Sequence, residues 1–283
     1  MIEIEEVQLT SNSTDPQLEV DYATWREKTK PEGISACIRL RNESQFMRAA
    51  VRSIVDLVDE VVLVVQPSED NTLEIAQDLV IEYGKVKLFT YPLIPDWIDT
   101  PEFYSKDPDQ PGHMVHMSNW ALSKCIYSWI LKVEGDVIAL PTLKGMLQHV
   151  RENMDAPHYY GLVILNVAGP KMDQISWENP RNGGWDEAIF PNDPDIVRFH
   201  RRNKWEVAVP AASCGSTCMG WALLHMKRCK AGKDQAWNGE HYVPWNPDVV
   251  TEALKNYAGN NYPGPDDPFG RHVLFGKEWK RYL

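Results

Sequence analysis

The stretch at residues 34–90, ISACIRLRNESQFMRAAVRSIVDLVDEVVLVVQPSEDNTLEIAQDLVIEYGKVKLFT, decides the fold. Residues 34–40 read as a buried strand. After them Asn42 and Gln45, three apart, have the spacing of a helix-opening capping box, and Phe46, Ala49, Ala50, Ile54 and Leu57 recur at helical spacing. Residues 61–65 are apolar on both faces and mostly β-branched, as a central strand of a covered parallel sheet requires. Leu73, Ala76, Leu79, Val80 and Tyr83 mark a second helix, Gly84 stands where helix C-termini favour glycine, and residues 85–90 read as a third strand. Strand, helix, strand, helix, strand predicts right-handed parallel crossovers and an α/β sheet, not a β-sandwich or a helical bundle.

Outward from this core the pattern continues and then loosens. Residues 92–112 hold five prolines and four aspartates and read as a long irregular loop, a kind that is usually functional. A helix over 113–125, a strand over 129–133, a helix over 142–153 and a strand over 159–167 follow; beyond Gly169 periodicity weakens and Trp, Pro, Asn and Asp become common. Residues 1–32 lack a sustained period and read as an N-terminal extension that packs on or trails from the domain. No internal repeat or linker divides the rest.

Composition narrows the function. The 283 residues are 43% apolar and 24% charged, which excludes a disordered or collagen-like chain. Forty acidic against 29 basic residues leave a net charge of −11, and no general nucleic-acid-binding signature is present. The longest apolar run is five residues, where a membrane span needs about 20, and the acidic N-terminus lacks the layout of a signal peptide. Five cysteines without disulfide or zinc spacing suit a reducing compartment, so the expected location is the cytoplasm.

Ligands of open α/β sheets sit outside the carboxyl ends of the strands. Residues 39–43, 66–70 and 134–136 fall at three such ends and converge on one rim. In the last, Glu134 and Asp136 flank a single glycine, which lets two hard oxygen ligands for Mg²⁺ or Mn²⁺ project to one place.

The run of residues 34–43, then Arg52-Ser53-Ile54, Asp59-Glu60, Ser68-Glu69-Asp70-Asn71-Thr72 and Trp129-Ile-Leu-Lys-Val-Glu134-Gly135-Asp136 resembles family 2 glycosyltransferases of the GT-A fold. That family runs from a strand through an Asn-Glu pair and a Ser-x-Asp-x-Thr turn to a strand that ends in a D-x-D motif. The resemblance covers residues 33–140 well and 195–230 loosely. It implies a single Rossmann-like α/β domain at residues 33–283, a mostly parallel central sheet flanked by helices, with a nucleotide-sugar half (33–140) and an irregular acceptor half (141–283). It also implies Mn²⁺ or Mg²⁺, a nucleotide-sugar donor and inversion at the anomeric carbon.

By resemblance, Arg39, Asn42, Glu43, Gln66, Asp70, Glu134, Arg198, Arg201 and Lys227 are donor-binding candidates, and Asp136, His225 and Glu134 are metal ligands. Glu206, Glu187 and Asp186 are candidates for the base that takes the acceptor's proton, with Glu206 slightly favoured. Two departures are visible. Val65 or Gln66 stands where the family carries an aspartate that meets uridine, so uridine is not implied, although Gln66 offers a donor and an acceptor to a base edge. Glu134 replaces the first aspartate of D-x-D, and Val137 the acid that often follows it.

Seven of the eleven tryptophans, Trp177, Trp185, Trp205, Trp221, Trp237, Trp245 and Trp279, lie in the acceptor half, where indole faces could stack on an acceptor or plug a loop-rich core. The proline-rich loop at 263–268 could cover the site. The acceptor itself stays open among a glycan, a lipid-linked sugar, a protein and a modified nucleobase. Two other functions compete: a catalytically silent relative that only binds a glycan or protein, and a sugar nucleotidyltransferase. Against the latter stands the absence of glycine from residues 38–43.

Overall fold

The computed structural model describes residues 18–168, 174–177, 186–228 and 243–244. In chain order the elements are α1 (Tyr22–Glu27), β1 (Ile34–Leu40), α2 (Met47–Ile54), β2 (Glu60–Val65), α3 (Thr72–Glu82), β3 (Val86–Thr90), α4 (Pro101–Ser105), α5 (Met114–Ser123), β4 (Trp129–Glu134), β5 (Val137–Ala139) and α6 (Thr142–Arg151). They continue as β6 (His158–Ala168), β7 (Gln174–Trp177), β8 (Ala188–Pro191), β9 (Val197–Arg202), β10 (Trp205–Pro210), β11 (Gly215–Arg228) and β12 (Val243–Pro244).

One large sheet runs in the order β12-β7-β6-β8-β4-β1-β2-β3, with β11 beside β6 and β5 beside β11. Its N-terminal half is wholly parallel: β3 pairs β2, β2 pairs β1 and β1 pairs β4. This is the α/β crossover layout expected from residues 34–90. Past β4 the sheet becomes mixed, because β8 inserts antiparallel between β4 and β6. Strands β9 and β10 form a separate antiparallel hairpin.

Strand alternation sends side chains to two cores. Ile34, Ala36, Ile38 and Leu40 of β1, with Val61, Leu63 and Val65 of β2, face α2, α3 and α6. Cys37, Val62 and Val64 face the opposite way, towards α5, Trp25 of α1 and the hairpin residue Phe199. Each fully buried valine or leucine contributes about 1.5–3 kcal/mol, so both faces of the parallel strands are fixed and their carboxyl ends are held on one rim.

The extension packs rather than trails over its described part. Trp25 is buried and its indole N–H donates to Asn192 Oδ1 at 2.7 Å. Within residues 92–112 the expected irregular loop contains α4 and a bridge between Asp96 and His113. No helix among the described residues is long and apolar enough to cross a membrane.

The capping box at Asn42 does not form. Helix α2 starts later, at Met47, with no side-chain cap, because Asn42 has other work. It sits at φ 56°, in the left-handed region that Asn tolerates, and accepts a hydrogen bond from Glu69 N–H at 2.8 Å. The N–H groups of Asn42, Glu43 and Ser44 donate in turn to Ser68 Oγ (3.2 Å), Thr72 Oγ1 (2.8 Å) and Asp70 Oδ2 (3.1 Å). The Asn-Glu pair and the Ser-x-Asp-x-Thr turn are therefore two halves of one clasp that ties the loop after β1 to the loop after β2.

Asp70 is the centre of that clasp. Burial works to raise its pKa, but hydrogen bonds from Thr72 and Ser44 outweigh burial and hold it below the usual 3.8. A depressed folded pKa gives stability that is present above about pH 3.8 and is lost as pH falls through the lower folded value. Asp70→Ala should therefore cost about 1–2 kcal/mol at pH 7. In urea titrations the gap to wild type should close below about pH 4.

Candidate metal and donor site

Glu134 ends β4, Gly135 turns the chain, and Asp136 precedes β5. The turn is packed against the clasp: a Cβ placed on Gly135 would lie 2.4 Å from Leu40 Cδ2 and 3.0 Å from Glu43 Cγ. Glycine is required here by close approach, not by an unusual backbone angle. Gly135→Ala should lower stability by about 1–3 kcal/mol through overpacking, measured as a lower melting temperature, and should move both acidic side chains.

Strand β11 carries the third member. It pairs with β5 so that His225 opposes Val137, and Met226 N–H donates to the Asp136 carbonyl at 2.9 Å. His225 Nε2 then lies 3.5 Å from Glu134 Oε2 and 3.4 Å from Asp136 Oδ1. One ligand atom from each of the three falls within 4.8 Å of the others.

The donor set fits a divalent ion. Ligand atoms about 2.1 Å from a shared cation stand roughly 3.0–3.4 Å apart, so the two His225 separations need little closing. Two carboxylates and an imidazole suit Mn²⁺ or Mg²⁺ better than thiolate-seeking metals. On the far side of the ring His225 Nδ1 meets Asn166 Oδ1 at 3.0 Å. With that oxygen accepting, Nδ1 carries the proton and Nε2 presents its lone pair to the carboxylates. Asn166 is buried on β6 as the strand partner of His225. No motif points to it in the sequence; its available signal is a lone amide inside the apolar run at residues 162–167.

No motif points to Lys132 either, and its signal is likewise a polar residue in an apolar strand. Its side chain is buried, with Nζ 3.3 Å from Glu187 Oε2 and 4.0 Å from Glu134 Oε1, and it donates to the Asp186 carbonyl. Burial opposes its charge, and Glu187 and Glu134 more than offset burial, so its pKa is raised. Glu187 is wholly buried, and burial pushes its pKa up to about 8 against the pull of Lys132. Asp186, one residue earlier, is exposed at the rim.

Arg39 stands beside Glu134 as its strand partner. Its guanidinium donates to Glu206 Oε1 at 2.7 Å and to Ser118 Oγ, and Ser118 Oγ–H donates to the same carboxylate. Burial disfavours the Arg39 charge, but Glu206 and Glu134 hold it on. Glu206 is thus brought to the site as a brace for Arg39.

Other candidates are placed away from the triad. Gln66 is buried at the end of β2, its amide against Met117 Sδ at 3.9 Å. Arg201 caps the end of α4: its Nη1 donates to the carbonyls of Phe103 (2.9 Å), Tyr104 (3.0 Å) and Lys106 (3.3 Å). Arg198 stacks over the Tyr22 ring at 5.1 Å. These arginines are engaged because the hairpin strand that bears them packs on α5 and α4. Asn42 and Asp70 serve the clasp, with Glu43 packed under the acidic turn. Lys227 lies on β11, and its side chain falls outside the described residues, as do that of Trp177, the whole of Trp185, Trp237, Trp245 and Trp279, and the loop at 263–268.

Comparison with known proteins agrees with the motif order. Residues 35–92 match the family described as Glycosyl transferase family 2. Among curated proteins, an uncharacterised glycosyltransferase of Rickettsia conorii is 25% identical over 147 residues, covering 52% of this chain and 44% of that protein. Another, from Rickettsia felis, is 26% identical over 143 residues, covering 50% and 42%. The chain thus spans less than half the length of these relatives. Among solved structures, S. aureus TarS 1-349 overlaps with a TM-score of 0.45 at 15% identity, covering 80% of this chain and 64% of that one. Glucosyl-3-phosphoglycerate synthase from Mycobacterium tuberculosis, in complex with Mn²⁺, UDP and phosphoglyceric acid, overlaps with a TM-score of 0.42 at 11% identity, covering 76% and 87%.

Proposed function

We propose that this chain, with its family 2 glycosyltransferase segment at residues 35–92, is a metal-dependent inverting glycosyltransferase that moves a sugar from a nucleotide-sugar to an acceptor hydroxyl. The observation that carries the proposal is the convergence of Glu134, Asp136 and His225 at the carboxyl rim of the parallel strands, with Arg39 alongside. Residues 33–140 supply the donor half, and residues 141–283 complete the metal site and supply the acceptor half.

A bound Mn²⁺ or Mg²⁺ would supply positive charge against the diphosphate leaving group. Around it, Glu134, Asp136 and His225 form the ligand set, Asn166 orients the imidazole, and Lys132 and Arg39 hold Glu134 between two cations. Arg39 is the cation within the site best placed to add a contact to diphosphate oxygens. The acceptor oxygen attacks the anomeric carbon, the bond from that carbon to the diphosphate breaks, and the acceptor proton passes to a carboxylate. We assign that carboxylate to Asp186, because it is exposed at the rim while Glu187 is buried and Glu206 is committed to Arg39. Cys37 and Cys125, buried together as free thiols, support a reducing compartment such as the cytoplasm.

The test is a thermal-shift panel of UDP-, GDP-, CDP- and dTDP-sugars with and without Mn²⁺. A ligand at about 100 times its dissociation constant adds about 2.7 kcal/mol, roughly 5 °C or more in a protein this size. One nucleotide should raise the melting temperature only with metal present. A panel in which none does so refutes the donor assignment.

A further inference from the structure

Three large aromatic side chains stand in water: Trp97 and Tyr104 from residues 92–112, and Trp205 at the turn of the β9–β10 hairpin. Trp97 is 63% exposed, Tyr104 and Trp205 each 47%. The backbone that presents them is tightly held. Asp96 N–H donates to Gly112 O at 2.8 Å, Asp96 pairs with Lys106, and Thr100 Oγ1–H donates to Trp97 O at 2.7 Å. Beneath, Phe103 is buried and stacks on His113 at 4.6 Å, and Arg201 clamps the end of α4. A rigid backbone that displays aromatic rings forgoes burial worth a few kcal/mol, and such patches mark binding surfaces.

Polar groups link the rings. Tyr104 O–H donates to Asp99 Oδ1 at 2.8 Å, Lys204 Nζ lies 3.6 Å from Asp99 Oδ2, and the same ammonium sits 5.1 Å over the Trp205 ring. Asp99 holds φ 62°, an uncommon left-handed conformation for a residue other than glycine, at the middle of this chain of contacts. Aromatic faces interleaved with a carboxylate and an ammonium match a pyranose, whose C–H face stacks on indole while its hydroxyls take both polar partners. The hairpin also joins this patch to the site. Glu206, the residue after Trp205, bonds Arg39, whose strand partner is Glu134.

We propose that Trp97, Tyr104 and Trp205, with Asp99 and Lys204, form a platform that binds a saccharide chain, so that the acceptor is a glycan. This deepens the transferase reading and rests on it for the word acceptor. The test is calorimetric titration of the full chain with cellopentaose, maltopentaose, chitopentaose and a hyaluronan hexasaccharide. At least one should bind, and Trp97→Ala or Trp205→Ala should weaken it about tenfold while leaving the metal-dependent nucleotide melt shift in place. Glycan binding that falls in these variants in the absence of any nucleotide shift would keep the platform and sink the transferase reading. The platform is overturned if none of the four probes binds or if both variants bind unchanged. It is equally overturned if each variant drops the melting temperature by more than about 5 °C, since the rings would then be covered by the chain itself.

Discussion

Asp136→Asn should erase the Mn²⁺-dependent part of the nucleotide melt shift and lower kcat/KM by on the order of 10³, about 4 kcal/mol of lost transition-state stabilisation. The reason is positional. Asp136 is 2% exposed, its carbonyl is pinned by Met226, and its carboxylate faces His225 Nε2, so no other acidic residue can move in to replace it. Asparagine keeps the shape and removes the charge, leaving two of the three proposed ligands. The metal-free melting temperature should therefore change by less than the equivalent of about 1 kcal/mol, which separates lost metal binding from lost folding. A variant that keeps the full metal-dependent shift would remove Asp136 from the site. Asn166→Ala should act more weakly, by about 10- to 100-fold in metal affinity, because it frees the ring that His225 presents without removing a ligand.

The N-terminal half of the fold was legible because its signals are local. Residues 61–65 are apolar on both faces, and that pattern fits a covered parallel strand and little else. Glu134-Gly135-Asp136 announced itself by following such a strand. The C-terminal half was not legible for a matching reason. Strand β11 has register shifts at three places and carries Gly, Ser, Thr and Cys in its first half, so no period of two survives in its sequence. The structural contacts of Asn42, Asp70 and Arg201 were not legible, because each type suits an anion site as readily as a turn or a helix end. Only the partner decides, and the partners are 26 to 98 residues away in sequence. Lys132 and Asn166 could have been suspected: a polar group in an apolar strand must find a partner, and both found theirs around Glu134 and His225.

Asp186→Asn should lower kcat by about 10²–10⁴-fold, the usual contribution of a general base, while donor affinity and the metal-dependent melt shift stay near wild type. The three acidic candidates are separated by their surroundings. Glu206 accepts from Arg39 at 2.7 Å and from Ser118, and its side chain is 11% exposed; taking a proton there would leave the Arg39 charge without its counter-ion. Glu187 is closed off from any acceptor by burial, which pushes its pKa up to about 8, and it lies 3.3 Å from Lys132 Nζ. Asp186 has the opposite character. Its carbonyl is fixed by Lys132, which places the residue next to Glu134, and its side chain points into solvent where an acceptor hydroxyl can arrive. Glu206→Gln should instead show a structural signature, a loss of about 1–3 kcal/mol as Arg39 is left buried without its carboxylate, with a smaller fall in kcat. The two variants therefore differ in kind: Asp186→Asn should stay folded and lose kcat, and Glu206→Gln should lose stability and keep more of its kcat. The reverse pattern, with Glu206→Gln folded normally and inactive, would assign the base to the hairpin and make Asp186 a bystander at the rim.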